Sequence, residues 1–297
     1  MRIKLVLGTM MILAAGRAFS SGGFEGINET GVRTLRVEGA VVSVEVTGSL
    51  GRTVVGRAYD IPNNIEIKYD RFGDTVRVWI DKRFSLLGGG GDPVLRFEVP
   101  RATDLDISTA SGNISIKGML GDYLHAASSS GSIEIDDVRT SVHAQTSSGD
   151  LYVADIDGDT HAETASGEIE LRQILGEVVG STSSGGIEAH DLRGDVSLTT
   201  ASGDIELDDI TGTMRASSSS GSISGRRVQI NGDSTFTSRS GTIRIDFNNP
   251  LNSLSFRLTS TTGSLRVGDV TGNKSLTAGS GRFLVKGETS SGNQRYE

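Results

Sequence analysis

The chain has 297 residues, no cysteine, 40 glycines, only 4 prolines and a formal net charge of −8 at pH 7. Disulfides are excluded, so the fold must rest on apolar burial and backbone hydrogen bonding. Abundant glycine with few aromatics would fit disorder if the apolar residues were scattered, but they are periodic, and the acidic balance gives no reason to expect a nucleic-acid partner.

In chain order, the first element reads as an export signal. Arg2 and Lys4 precede an apolar run from Leu5 to Ala15, and Ala18-Phe19-Ser20 offers small residues before a cleavage point at Ser21. The run is shorter than the roughly 20 residues a spanning helix needs. Residues 1–20 are therefore expected to be a signal peptide. The remainder is expected to be exported, periplasmic or extracellular, and not membrane-spanning. Residues 21–100 form the next region. Val32 to Val37, Val41 to Val46, Thr53 to Tyr59, Ile65 to Tyr69, Val76 to Ile80 and Val94 to Val99 read as strands, with turn signals such as Pro62-Asn63-Asn64 between them. This region holds the only Trp, Trp79, and is expected to be an irregular N-terminal β cap.

From residue 101 to 287 the chain repeats. A Ser/Thr-Gly pair recurs at Gly112, Gly131, Gly149, Gly167, Gly185, Gly203, Gly221, Gly241, Gly263 and Gly281, mostly every 18 residues. Two and four residues after the glycines stand mostly aliphatic residues, such as Ile133 and Ile135, Leu151 and Val153, Ile169 and Leu171, with Phe283 and Gly225 as exceptions and polar residues between them. This period-two alternation marks a half-buried strand. A second aliphatic position, a frequent glycine at Gly158, Gly176, Gly194 and Gly212, and a second short strand follow. Each repeat thus reads as strand, corner, strand and a Ser-rich turn. The repeat glycine is expected to supply a positive φ and the Ser/Thr residues to supply turn hydroxyls. A period this short predicts an all-β, single-stranded parallel β-helix, a β-solenoid of about ten coils. Stacked about 4.8 Å apart, the coils make a rod roughly 45 to 50 Å long. Residues 288–297 are expected to be a C-terminal tail or cap.

The layout resembles a large putative-adhesin family of exported or membrane-tethered bacterial proteins of unknown function. The resemblance is carried by Phe97-Glu98-Val99-Pro100, by Leu105 through Ile114 with its Ser-Thr-Ala-Ser-Gly core, and by the echoes at Thr164-Ala165-Ser166-Gly167 and Thr200-Ala201-Ser202-Gly203. It covers nearly all of the chain after the signal. It implies a Ser-Gly repeat β-helix and brings no activity, cofactor or catalytic residue.

Three patterns carry chemistry. Glu134, Glu170, Glu188 and Glu206 share one outward position, and Asp150, Glu168 and Asp204 share another. Asp137, Asp155, Asp191, Asp209 and Asp269 recur six residues after the glycines, before the corner, where an Asx turn explains them better than a bound cation. His125, His143 and His161 occupy equivalent places, aligned in one row rather than converging on a metal. Finally, residues 131–212 contain 18 Asp/Glu against 3 Lys/Arg, while residues 213–297 contain 11 Lys/Arg against 5 Asp/Glu, with Arg244 and Arg266 at the same repeat position. Such a dipolar rod could associate head to tail or bind an anionic polymer.

No nucleophile, acid–base pair in a cleft, cofactor motif or metal motif emerges, so no catalytic, cofactor-binding or metal residue is assigned. The leading expectation is a non-enzymatic exported scaffold, an adhesin or cell-envelope interaction protein. Its partner would be an envelope or cell-surface protein or polysaccharide, with end-to-end self-association possible in principle. The alternatives are a carbohydrate-active β-helix enzyme using the strip of Glu170, Glu188 and Glu206, and a self-assembling envelope element.

Overall fold

The computed structural model describes residues 26–62, 65–82 and 92–297, together with a short strand at Arg17–Phe19. That strand pairs antiparallel with Ile65–Phe72. The rest of the segment read as an export signal lies outside the described residues.

The chain is all-β, and its coils build two long sheets of 15 strands each rather than one continuous ladder. Sheet I holds the strands that follow the repeat glycines, such as Ile133–Val138, Leu151–Asp157 and Ile169–Leu175. Sheet II holds the second strand of each coil, such as Ser141–Thr146, Thr160–Thr164 and Val178–Thr182. Equivalent residues stack in parallel register, so Ile133, Leu151, Ile169 and Ile187 form one column. Each is at most 1% exposed. A fully buried aliphatic side chain of this kind contributes about 1.5–3 kcal/mol, and the columns repeat that gain on every rung.

The repeat glycines serve close approach rather than a turn. None of those from Gly112 to Gly241 has a positive φ, contrary to the expectation from turn chemistry. A Cβ on Gly131, Gly149, Gly167 or Gly185 would instead lie 1.9, 2.1, 1.8 or 1.8 Å from the carbonyl oxygen of the repeat glycine one coil earlier. Beside this spine runs a buried hydroxyl row. Thr164 Oγ1 donates to Gly149 O at 3.0 Å and accepts from Gly167 N at 3.1 Å. Thr182 repeats the pattern with Gly167 O at 3.1 Å and Gly185 N at 3.2 Å. The same arrangement extends from Thr109 to Ser238, leaving the inward hydroxyls paired where an unpaired one would be costly.

The corner has its own rule. Asp137, Asp155, Gln173, Asp191, Asp209 and Arg227 all have φ between 50 and 57°. In the first of these coils Gly118, at φ 77°, stands in their place. Asp tolerates this left-handed backbone better than most residues. The recurring aspartate is thus selected by conformation at Asp137, Asp155, Asp191 and Asp209, but not at Asp269, where Gly268 takes the left-handed backbone at φ 52°. The side-chain-to-backbone bonds expected there are made elsewhere, as described below.

Both ends depart from simple sequential stacking. Thr34–Gly39 lies between Thr75–Lys82 and Asp104–Thr109, parallel to both. Ser43–Ser49 likewise lies between Val94–Pro100 and Ile114–Met119. The other end mirrors this. Phe283–Thr289 is inserted between Ser234–Ser238 and Leu254–Ser260, and Gln294–Tyr296 between Ile243–Phe247 and Leu265–Val267. Gly281 therefore does not open a sheet I strand, as its spacing suggested; Phe283 and Val285 belong to sheet II. The true repeat glycine of that coil is Gly292, whose Cβ would lie 1.9 Å from Gly241 O. Antiparallel strands close the outer edges: Thr53–Tyr59 and Ile65–Phe72, with Ile27–Thr30 and Arg17–Phe19 outermost, at one end, Val270–Gly272 and Ser275–Ala278 at the other. They cover the parallel ladders, whose open edges would otherwise invite other chains.

The inserted C-terminal coil also changes the core from aliphatic to aromatic. Tyr296 is fully buried and packs with Phe236, Phe247 and Phe256 at centroid distances of 6.3, 6.2 and 5.7 Å. Its hydroxyl donates to Gln294 Oε1 at 3.2 Å, and burial pushes the phenol above its ordinary pKa.

Two outcomes follow. Gly185→Ala should destabilise the protein more than Thr182→Val, which leaves a buried donor and acceptor unpaired at about 1–3 kcal/mol; chemical denaturation midpoints report both. A chain ending after Thr289 should lose the cooperative unfolding transition of the C-terminal third, read by hydrogen exchange at Ile243–Phe247 and Leu265–Val267.

Candidate functional site: the outward rows of the two sheets

Strand alternation that buries one set of side chains necessarily presents the other set as straight rows along the stack. On sheet I the row runs through Arg96, Glu45, Ser115, Glu134, Tyr152, Glu170, Glu188 and Glu206, each directly opposite the next. The four glutamates expected on one face are indeed there, interrupted by Tyr152. A shallow groove of about 620 Å³ follows this row, lined by Ser115, Glu134, Tyr152, Glu170 and Glu188 among others. Glu170 is engaged by Arg172, and Glu188 Oε2 lies 3.7 Å from His190 Nε2.

The neighbouring acidic row has a structural duty. Asp150 Oδ1 accepts from Glu168 N at 2.9 Å, and Asp204 Oδ1 from Ser222 N at 2.7 Å. Asn113 Oδ1 accepts from Ser132 N in the same place at 3.0 Å. Asp159, in the turn before sheet II, accepts from Glu177 N at 2.9 Å. These carboxylates link one coil's side chain to the next coil's backbone. The recurrence of Asp, Asn and Ser immediately after the repeat glycine was the available signal for them.

On sheet II the three histidines form the expected row. His125, His143 and His161 are in register. Ring centroids are 5.3 Å apart for the first pair and 4.7 Å for the second, where the planes differ by 4°. Asp106, one rung before His125, places Oδ1 3.0 Å from its Nδ1. Arg36 Nε donates to the other oxygen of Asp106 at 2.8 Å. His161 Nε2 lies 3.7 Å from Glu163 Oε2. Asp106 was readable from its 19-residue spacing to His125; Arg36 was not, because its coil enters the stack out of chain order. Partial burial holds the His143 imidazole below its ordinary pKa, and charge on His161 and His125 would lower it further. Among the described residues no group of three His, Cys, Asp or Glu side chains is arranged to hold a metal ion.

The basic end is reordered by the inserted coil. Arg295 stands between Arg244 and Arg266, making three arginines on consecutive rungs. Glu297 is the carboxylate among them: it pairs with Arg295, whose Nε donates at 2.7 Å, and lies 3.7 Å from Arg244 Nη2. That contact with Arg295 holds the Glu297 carboxyl below its usual range.

The model of the Toastrack DUF4097 family matches residues 95–193 and 181–295, more than half of the chain, and the protein belongs to that family. No curated protein matches it. Among solved structures the chain is similar to a putative cell adhesion protein from Clostridium sporogenes ATCC 15579. That match has 10% identity and a TM-score of 0.24, covering 92% of this chain and 98% of that one. It is also similar to a putative adhesin from Bacteroides fragilis NCTC 9343, with 13% identity and a TM-score of 0.35, covering 95% and 96%.

Because folded His143 binds its proton only below the ordinary imidazole value near 6.5, the unfolded chain holds more protons in that interval. Stability is therefore complete above about pH 6.5 and falls as the pH drops from there through the lower folded value. His143→Asn should flatten the fall of the denaturation midpoint just below about pH 6.5 relative to the parent.

Proposed function

We propose that the chain is a non-enzymatic, exported β-solenoid scaffold, an adhesin or cell-envelope interaction protein whose flat faces hold a partner. In this reading residues 1–20 are a signal peptide, residues 21–100 the N-terminal cap region, residues 101–287 the repeats and residues 288–297 the C-terminal tail or cap region, whose strand Gln294–Tyr296 lies within the stack. The coils wind as a single-stranded parallel β-helix. The partner is an envelope or cell-surface protein or polysaccharide, and not nucleic acid. No helix among the described residues is long and apolar enough to cross a membrane.

One observation carries this reading: the polar chemistry lies in straight exposed rows, rung after rung, instead of converging. A row of this kind suits repeated weak contacts with an extended partner better than bond cleavage, which needs groups aimed at one atom. The second reading, a carbohydrate-active enzyme, is favoured by Glu170 and Glu188 standing on adjacent rungs beside the groove. Retaining glycosidases need carboxyl groups about 5 Å apart, and the rung spacing is similar.

Binding and turnover of envelope polysaccharides, measured on the protein and on Glu188→Gln, separate the two. The scaffold reading expects retention on envelope material with no product released, and at most a few-fold change on Glu188→Gln. Depolymerisation that Glu188→Gln abolishes would replace it with the enzyme.

A further inference from the structure

The outward row of sheet I has a symmetry that the chain order conceals. Moving along the rungs, three glutamates, Glu170, Glu188 and Glu206, are followed by Ser224. Beyond Ser224 come three arginines, Arg244, Arg295 and Arg266. The row is thus antisymmetric in charge about Ser224, spanning six rung spacings or about 29 Å. Glu170 is half-exposed and the other six side chains are exposed. Like charges directly opposite one another on neighbouring strands repel, and each block of three does so within the single chain. Intramolecular compensation is partial. Arg172 engages Glu170, His190 approaches Glu188 at 3.7 Å, and Glu297 serves Arg244 and Arg295. Asp269, 3.9 Å from Arg266, is fully exposed.

We propose that sheet I binds a second copy of this chain, turned end for end, about a two-fold axis that runs along the strands at Ser224. In that arrangement Glu206 faces the second copy's Arg244, Glu188 its Arg295 and Glu170 its Arg266, each pair occurring twice. A two-fold contact must be self-complementary, and an antisymmetric charge row meets that condition in the antiparallel sense alone: the parallel arrangement sets glutamate on glutamate. In the flanking rows His190 would face Glu297, Asp204 would face Thr242, and Glu168 would face Ser264. Arg226 would meet its own copy on the axis and Asp208 would face the second copy's Asp246, so that two guanidiniums stand among four carboxylates and offset that like-charge contact. A contact of this length and one strand's width is smaller than the roughly 800 Å² per partner of a stable complex, so the pairing is reversible and concentration-dependent. It leaves the His125 row and the rest of sheet II open, and it is independent of whether the protein is an adhesin.

Sedimentation equilibrium tests it. The protein is expected to dimerise reversibly at low ionic strength and to lose at least about tenfold in affinity at about 0.5 M salt. The variants E170R/E188R/E206R and R244E/R295E/R266E should each be monomeric alone and associate when mixed. Because the chain has no cysteine, Ser224→Cys adds a single thiol without disturbing either charge block. It should be joined to its copy by a bismaleimide spanning the roughly 10 Å between face-packed sheets, whereas Thr199→Cys on sheet II should not. The proposal is overturned by a monomer at low salt and high concentration, by dimers indifferent to the charge reversals, or by equal cross-linking at the two cysteines.

Discussion

The fold depends on how closely one coil's backbone can lie against the next at the Ser-Gly turn. A methyl group on any glycine of the column after Gly112 would fall inside the van der Waals envelope of the preceding glycine's carbonyl. That single contact sets the rung spacing on one side of the stack, and the buried Ser/Thr hydroxyl threaded between successive glycines holds it there. Register follows from spacing. Once the turns are aligned, the aliphatic columns close behind them, and every outward side chain is committed to a straight row. The rows of glutamate, histidine and arginine are therefore by-products of the same contact that keeps the core dry.

The ends obey a different logic. A parallel ladder has no natural last rung, and the chain supplies one by folding its terminal coils back inside their neighbours and leaving antiparallel strands outermost. At the C-terminal end the substitution of aromatic for aliphatic packing supports this. Tyr296, Phe236, Phe247 and Phe256 fill an interior that narrow aliphatic columns occupy elsewhere, and Gly287 makes room for the Tyr296 hydroxyl. The two-fold character of the sheet I row exists only because of the insertion, since it is the returning coil that brings Arg295 between Arg244 and Arg266.

Much of this was legible in the sequence wherever contacts are one repeat apart. The 18-residue spacing placed Ile133, Leu151, Ile169 and Ile187 in one column and His125, His143 and His161 in one row, because a short period translates directly into adjacency. It failed where two physical causes give the same residue. Glycine at the turn reads as a left-handed backbone position, whereas steric approach is what requires it. The aspartates before the corner read as hydrogen-bonding turns, whereas the left-handed backbone selects all of them but Asp269; the bonding belongs to Asp150, Asp159 and Asp204. It failed again where adjacency is non-local. Ser290-Ser291-Gly292 repeats the turn signature plainly, yet nothing in the spacing says that its coil precedes, in space, the one containing Gly263.

Burying both terminal coils has a consequence for how such proteins change length over evolutionary time. A coil added by duplication next to Gln294–Tyr296 would have to be accommodated between rungs already in contact. Duplication of an interior 18-residue unit, between Gly131 and Gly221, disturbs neither antiparallel lid and simply adds one more identical step. The ends of the molecule are thus its fixed hardware, and the middle is where its reach is set.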